Sequence, residues 1–188
     1  MEKPQQQRLS AEDWKQAALD VIAEAGVKAV AVESLARRLG VTKGSFYWHF
    51  PSRRSLIEAA LQRWEEDDLA KLEQQLAEQP ECRERLCELF RRGSREFRSN
   101  AVYHALSNSG ENAIVRPVLI RVAKRRLAFL VDAFSGLGLS ATQACHRARL
   151  TYAAYAGYIQ IAYLDCGTEV HGEDFDAYVE HTISTLIP

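Results

Sequence analysis

Trp14, Ala17, Ala18, Val21, Ile22 and Ala25 recur at intervals of three and four residues, which puts them on one face of a helix. Ser10 precedes the run as an N-cap, Asp13 occupies the capping-box position, Leu9 is placed to staple onto Trp14, and Gly26 stops the helix. A second, short helix is predicted from about Val32 to Leu39, with Leu35, Ala36 and Leu39 apolar and Arg37 and Arg38 outward. Gly40-Val41 reads as a tight turn, and Thr42 as the cap of a third short helix reaching about His49. Pro51 then pushes Phe50 out of the helical region. Ser52 caps a long fourth helix that carries Leu56, Ile57, Ala60, Leu61, Trp64, Leu72 and Leu76 and ends near Pro80. Within it, the acidic tract Glu65 to Asp68 reads as a solvated face. Further helices are expected at about 82–98 and 101–108, and from Pro117, which suits a first helical turn, to about Phe134. Ser140 with Gln143 makes another capping box, opening a helix to Cys166-Gly167. The last helix, about 173–187, bears a stripe of Phe175, Tyr178, Val179, Thr182, Ile183 and Leu186. With no alternating strand pattern and no internal repeat, the chain reads as all-α, with about nine helices.

Composition narrows the class. In 188 residues, 47% hydrophobic and 26% charged is the balance of a soluble globular protein, and it excludes wholesale disorder or a disulfide scaffold. No apolar run approaches the roughly 20 residues of a membrane span, and the start lacks the apolar core of a secretory signal. A cytoplasmic protein that does not engage the membrane is expected. The net charge of −1 hides an asymmetry: residues 1–63 carry 10 Lys/Arg against 7 Asp/Glu, and residues 64–188 carry 14 against 18. A basic head on an acidic body fits a polyanion-binding unit joined to something else. Cys82, Cys87, Cys145 and Cys166 form no Cys-x-x-Cys pair and lie at no metal-ligand spacing from a histidine, so reduced thiols and no metal or other cofactor are expected.

The informative segment runs from Val32 to Phe50. Two short helices joined by a glycine-containing turn make a helix-turn-helix, whose second helix enters the major groove of DNA. Ala36 is small where the helices must approach, and Gly40 admits a left-handed turn residue. The outer face of the second helix offers Lys43, Gly44, Ser45, Tyr47, Trp48 and His49, while Phe46 and Phe50, four apart, face inward. Each feature also has a plain reading: helix-turn-helix corners occur in ordinary helical proteins, and Tyr47-Trp48-His49-Phe50 is equally a core edge.

These residues together resemble the DNA-binding head of the tetracycline-repressor (TetR-type) transcriptional regulators. The resemblance lies in Ala36-Arg-Arg-Leu-Gly40-Val41-Thr42, in Gly44, in Tyr47-Trp48-His49-Phe50 and in Arg53-Arg54-Ser55-Leu56, and it covers about residues 10–60. It implies a helix-turn-helix domain over 1–62 and a helical effector-binding and dimerisation domain over 63–188. By position, it implies that Tyr47 and His49 reach phosphates from a helix that Thr42 opens. Arg53 stands in for a lysine that pins the DNA backbone near a helix N-terminus, with Arg54 as a second phosphate contact. Base readout then falls to Lys43, Ser45 and Trp48. Lys3 and Arg8, on a polar arm, are candidates for a neighbouring groove or phosphate, and Arg37 and Arg38 are either contacts or solvated residues. Two departures stand out: Ala31 lacks a capping side chain, and Arg54 replaces a commonly acidic residue.

The remaining two-thirds are expected to supply an interface and a sensor. The apolar faces of the last two helices exceed what one partner helix covers, which assigns Ala148, Tyr152, Ile159, Tyr163, Val179, Ile183 and Leu186 to a two-fold interface between copies, or else to internal core. Phe97, Tyr103, Phe129, Tyr152 and Tyr155, with Phe90 and Phe134, either line a cavity or are plain core. His104 and Asn108, one turn apart, are its polar candidates, while Arg116, Arg121 and Arg125 are carboxylate partners or solvated. The function so read is a ligand-responsive regulator, a repressor that binds an inverted repeat in double-stranded DNA as a homodimer and is released by a small apolar effector. The alternatives are a DNA-binding dimer without an effector, and a small helical enzyme using Ser45 and His49 as nucleophile and base. Asp165, His171 and Asp174 read as helix-end caps.

Overall fold

The computed structural model describes residues 9–164 and 173–188. Lys3, Arg8, Asp165, Cys166, Gly167, His171 and the side chain of Asp174 lie outside what is described. Among the described residues there are nine α-helices, one 3-10 turn and no strand.

Helix α1 (Ala11–Ala25) starts at the expected capping box, with the Ser10 side chain accepting from the Asp13 N–H and Asp13 accepting from the Ser10 N–H. A 3-10 turn at Val27–Ala29 leads into α2 (Val32–Arg38), which begins at Ala31 with no side-chain cap. Gly40 turns the chain at φ +68°, a left-handed conformation in which any other residue would be strained. Helix α3 (Lys43–Tyr47) is shorter than the sequence predicts, and Thr42 precedes it without a capping hydrogen bond. The reason is local. The Phe46 carbonyl accepts from both the His49 and the Phe50 N–H, and Pro51, with no N–H of its own, cannot carry the ladder further.

Helix α4 (Arg53–Glu78) opens with a Ser52–Ser55 capping box and runs for 26 residues without a break. The domain boundary expected between residues 62 and 63 falls inside it, so the head and the body share one helix. The body adds α5 (Cys82–Arg95), α6 (Phe97–Ser107), α7 (Val115–Gly136), α8 (Ala141–Ala162) and α9 (Glu173–Leu186). The break between α5 and α6 comes at Glu96, earlier than predicted, because Asn100 takes over a carbonyl at the end of α5. Its Nδ2 donates to the Gly93 carbonyl at 2.9 Å, and its Oδ1 accepts from the Tyr155 hydroxyl of α8 at 2.8 Å. Ser140 and Gln143 form the predicted capping box of α8, but that helix ends at Ala162 instead of reaching Cys166.

Helix α1 packs on α4 and α6, and α7 lies along α8 and crosses α4 and α5. One continuous core results, from Trp14, Leu35 and Phe46 in the head to Leu106, Phe134 and Ile159 in the body. Among the described residues, no helix is long and apolar enough to cross a membrane, and no three His, Cys, Asp or Glu side chains converge on a metal site. Cys82, Cys87 and Cys145 are free thiols, and burial pushes that of Cys87 above its ordinary value.

Candidate nucleic-acid interface

Helix α3 has only five residues, too few to be stable alone, so tertiary packing must hold it. Phe46 does this. It is fully buried, meets the Trp14 ring edge-on at 5.3 Å and stacks on Phe50 at 5.9 Å. Helix α2 backs it with Leu35 and Ala36, and the Val41 N–H donates to the Ala36 carbonyl across the turn. What this inner face fixes is the outer one. Thr42, Lys43, Gly44, Tyr47 and Trp48 are exposed, Ser45 and His49 are half-buried, and Trp48 stands 89% exposed. An indole in water gains nothing for the fold, and this one stands at the tip of the helix-turn-helix.

Electrostatics qualify the expected basic face. The Lys43 ammonium pairs with Glu33 of α2 at 2.5 Å, and Arg38 grips Glu24 with two hydrogen bonds of 2.7 and 2.6 Å. Both pairs are solvent-exposed, so each holds its cation weakly and yields to a stronger anion. Arg37 is exposed and has no ion pair among the described residues. Arg54 pairs with Glu58 along α4 at 2.8 Å.

Arg53 has an internal task that the sequence did not reveal. Its guanidinium donates to the carbonyls of Val27, Lys28 and Val30, tying the start of α4 to the 3-10 turn behind α2. Arg53→Ala should therefore lower stability by about 1–2 kcal/mol, since hydrogen bonds from a charged donor are lost. Chemical denaturation without DNA measures this; an unchanged midpoint would mean that the three bonds hold nothing.

The residues assigned to an interface between copies divide in two. Ala148, Ile159, Val179, Ile183 and Leu186 are buried within the chain itself. Helix α9 lies on α5, fastened by Arg91 to Glu180 at 2.7 Å and Arg95 to Asp176 at 2.7 Å. Tyr152 is half-buried, and Tyr163 is exposed, its hydroxyl donating to the Phe97 carbonyl at 3.1 Å.

The residues assigned to an effector site divide as well. Tyr152 and Tyr155 line a cavity of about 260 Å³ between α4, α5, α7 and α8. Tyr103 lies beside it, its hydroxyl 3.0 Å from that of Tyr152 and its ring 6.2 Å from that of Tyr155. Burial pushes the Tyr155 phenol up to about 12 and raises that of Tyr152 further, so both stay protonated. Phe97 and Tyr163 line a separate cavity of about 100 Å³. His104 stacks on Tyr163 at 4.6 Å, and its Nε2 lies 3.0 Å from Asn108 Nδ2. Burial lowers the His104 pKa, although a hydrogen bond with Gln160 raises it. Phe129 is half-buried and lines neither cavity.

Sequence reading missed the ion pairs between α4 and α7, one of which, Asp68 with Arg126, lines the 260 Å³ cavity. The tract read as a solvated face turns two of its four carboxylates inward. Glu65 takes a two-pronged grip from Arg121, at 2.8 and 2.6 Å, and a third bond from Arg125 at 2.7 Å; this clamp holds its carboxyl below the ordinary value. Asp68, 8% exposed, pairs with Arg126 at 2.5 Å, and the Arg126 guanidinium lies 5.1 Å above the Tyr103 ring and 5.4 Å above that of Tyr155. The available signal was the i, i+3 spacing of Glu65 and Asp68, which puts both on one helix face, together with the clustered arginines at 121, 125 and 126.

Comparison with known proteins bears on the head and on the fold separately. Residues 16–60 match the family model of bacterial regulatory proteins of the tetR family. Over 43 residues, 23% of this chain, the sequence is 46% identical to the tetracycline repressor protein class A from transposon 1721 of Escherichia coli. The chain spans about a fifth to a third of the length of the curated relatives it matches. Solved structures match over nearly the whole length. A TetR-family regulator from Agrobacterium tumefaciens superposes with a TM-score of 0.80 at 16% identity, covering 95% of this chain and 97% of that one. The regulator FadR from Bacillus subtilis, solved in complex with stearoyl-CoA, gives 0.71 at 17% identity, covering 95% and 98%. By sequence, the helix-turn-helix head over residues 16–60 matches the tetR family of bacterial regulatory proteins, and over nearly its whole length the chain shares the fold of the solved regulators.

Proposed function

We propose that the protein is a cytoplasmic, ligand-responsive transcriptional repressor that binds an inverted repeat in double-stranded DNA as a homodimer and is released by a small, largely apolar effector. The observation that carries this reading is the exposed face of α3, with Trp48, Tyr47 and Lys43 outward on a helix whose buried anchor is Phe46. Tyr47, His49, Arg54 and the exposed Arg37 supply phosphate contacts; Lys43, Ser45 and Trp48 supply base contacts, with Thr42 and Gly44 allowing close approach. Lys43 exchanges Glu33 for a base edge on binding. Selection of duplexes from a random pool tests this: an inverted repeat should emerge, bound with an affinity that falls steeply with salt. A preferred site without two-fold symmetry would reject the dimeric reading.

The partner surface is the outer face of α8 and α9. Among the described residues, half of the ten exposed large apolar side chains lie there or in the turn after α8 (Leu150, Ile161, Tyr163, Leu164 and Tyr178). Leu150, Ala153, Gly157 and Ile161 fall at i, i+3, i+7 and i+11 on α8, a stripe whose small middle lets a second helix approach. At Gly157 an added Cβ would meet no atom within 4 Å. A second copy covers this face best, because a two-fold axis sets the stripe against itself and doubles the heads. Leu150→Glu with Ile161→Glu should give a folded monomer by size-exclusion chromatography with light scattering. An unchanged mass would reject this face. Ile183 and Leu186, buried in the chain's own core, are unsuitable for that experiment.

The effector reading rests on the larger cavity and on its contact with α4, the helix that also starts at the head. That FadR is solved with stearoyl-CoA supports a ligand-holding body in this fold.

A further inference from the structure

The 260 Å³ cavity has apolar walls, among them Leu72, Leu89, Phe90 and Leu130, and polar lining residues that include Asp68, Arg126 and Thr151. Of these, Arg126 spends two donors on a single oxygen: Nε at 3.0 Å and Nη2 at 2.5 Å both reach Asp68 Oδ1. Arg126 Nη1 and Asp68 Oδ2 are left buried without a hydrogen-bond partner, and so is Oγ1 of Thr151, a residue 4% exposed that also lines the cavity. Three unpaired polar atoms on residues that line one cavity are a standing deficit in a folded protein, where buried polar groups are as a rule satisfied. They are also a pattern: an acceptor, a donor and a hydroxyl that serves as either.

Charge decides what kind of group completes the pattern. Every charged residue lining the cavity already has its counter-charge: Asp68 with Arg126, Lys71 with Glu96, and Arg92 with Glu78 and Glu88. A carboxylate entering beside Arg126 would compete with Asp68 for one guanidinium, and an ammonium would compete with Arg126 for one carboxylate. Either leaves an uncompensated charge in a desolvated place. A neutral group with a donor and an acceptor on neighbouring atoms satisfies both orphans and disturbs neither charge.

Resting on the effector reading above, we infer that this cavity selects an uncharged amphiphile whose polar end donates to Asp68 Oδ2 and accepts from Arg126 Nη1, a carboxamide being the simplest such group, with an apolar body along Leu72, Phe90 and Leu130. Thr151 completes the recognition through Oγ1. Calorimetric titration of the full chain at neutral pH with four compounds of one eight-carbon body tests this: octanamide, octanoate, octylamine and methyl octanoate. Octanamide should bind about tenfold or more tighter than each of the others, a step of about 1.4 kcal/mol. In Asp68→Asn, where Arg126 has lost its counter-charge, octanoate should become the tightest of the four. Thr151→Val, which removes only an unpartnered hydroxyl, should fold as the parent does and weaken octanamide by about fivefold; it carries the comparison if Asp68→Asn does not fold. Octanoate or octylamine binding the parent as tightly as octanamide overturns the inference and leaves the effector reading standing. No binding by any of the four overturns both.

Discussion

Asp68→Ala is expected to lower the free energy of unfolding by about 3–5 kcal/mol, because it leaves the Arg126 guanidinium charged, buried and without its partner. The pair is deep enough for this magnitude: the side chains of Arg126 and Asp68 are 13% and 8% exposed. Two aromatic rings beneath the cation cannot replace the carboxylate, since a cation–π contact returns only about 0.5–2 kcal/mol. The double variant Asp68→Ala with Arg126→Met should recover most of the loss, as an apolar side chain of similar length carries no charge to strand. Urea denaturation of the three variants measures the cycle. A loss below about 1 kcal/mol in the single variant would mean that the pair behaves like a solvated one. A stable double variant would mean that the pair is kept for something other than stability, which is what recognition by its two spare atoms requires.

The second large effect is in the head, where two aromatic residues two positions apart should behave in opposite ways. Phe46→Ala opens a cavity between Trp14 and Phe50 and should cost about 3–5 kcal/mol; with it goes the buried anchor of α3, so duplex binding should be lost. Trp48→Ala removes a side chain that touches little, and stability should stay within about 0.5 kcal/mol of the parent. Its affinity for the selected duplex should nevertheless fall by about tenfold or more, the loss expected when one good base contact is removed. Thermal unfolding and fluorescence anisotropy separate the two quantities. Trp48→Ala binding as tightly as the parent would move the interface away from this face.

The head was legible in the sequence because its signals are local. The capping box at Ser10, the left-handed glycine at position 40 and the i, i+4 pair Phe46 and Phe50 each act within a few residues, and each can be read from spacing alone. The capping box at Ser140 announced α8 in the same way. Where the account depended on partners far along the chain, the sequence was mute. Glu65 and Asp68 sit in a run of four acids, which has no apolar periodicity to show an inward face, and their partners lie some 56 to 60 residues later. Arg53 looked like a surface cation because nothing in its neighbourhood reveals three open carbonyls 23 to 26 residues before it. Periodicity also identified Val179, Ile183 and Leu186 as a buried stripe, but it cannot say whose surface does the burying. Here it is the chain's own, and the face proposed for a second copy is the one made by Leu150, Gly157 and Ile161.

Helix α4 joins the two halves of the molecule as a lever arm. Arg53, which hooks the head, and Asp68, which borders the cavity, are 15 residues apart on one unbroken helix, a rigid span of about 22 Å at 1.5 Å per residue. A tilt of about 5° at the cavity end therefore arrives at the head as a displacement of about 2 Å, several times the range over which a hydrogen bond to a base edge keeps its strength. In a two-fold dimer the two arms swing in opposite senses, so the spacing between recognition helices changes by up to twice that amount. On the proposed reading of a dimer released by a ligand, re-seating one carboxylate would be enough to put the two heads out of step with the DNA helical repeat.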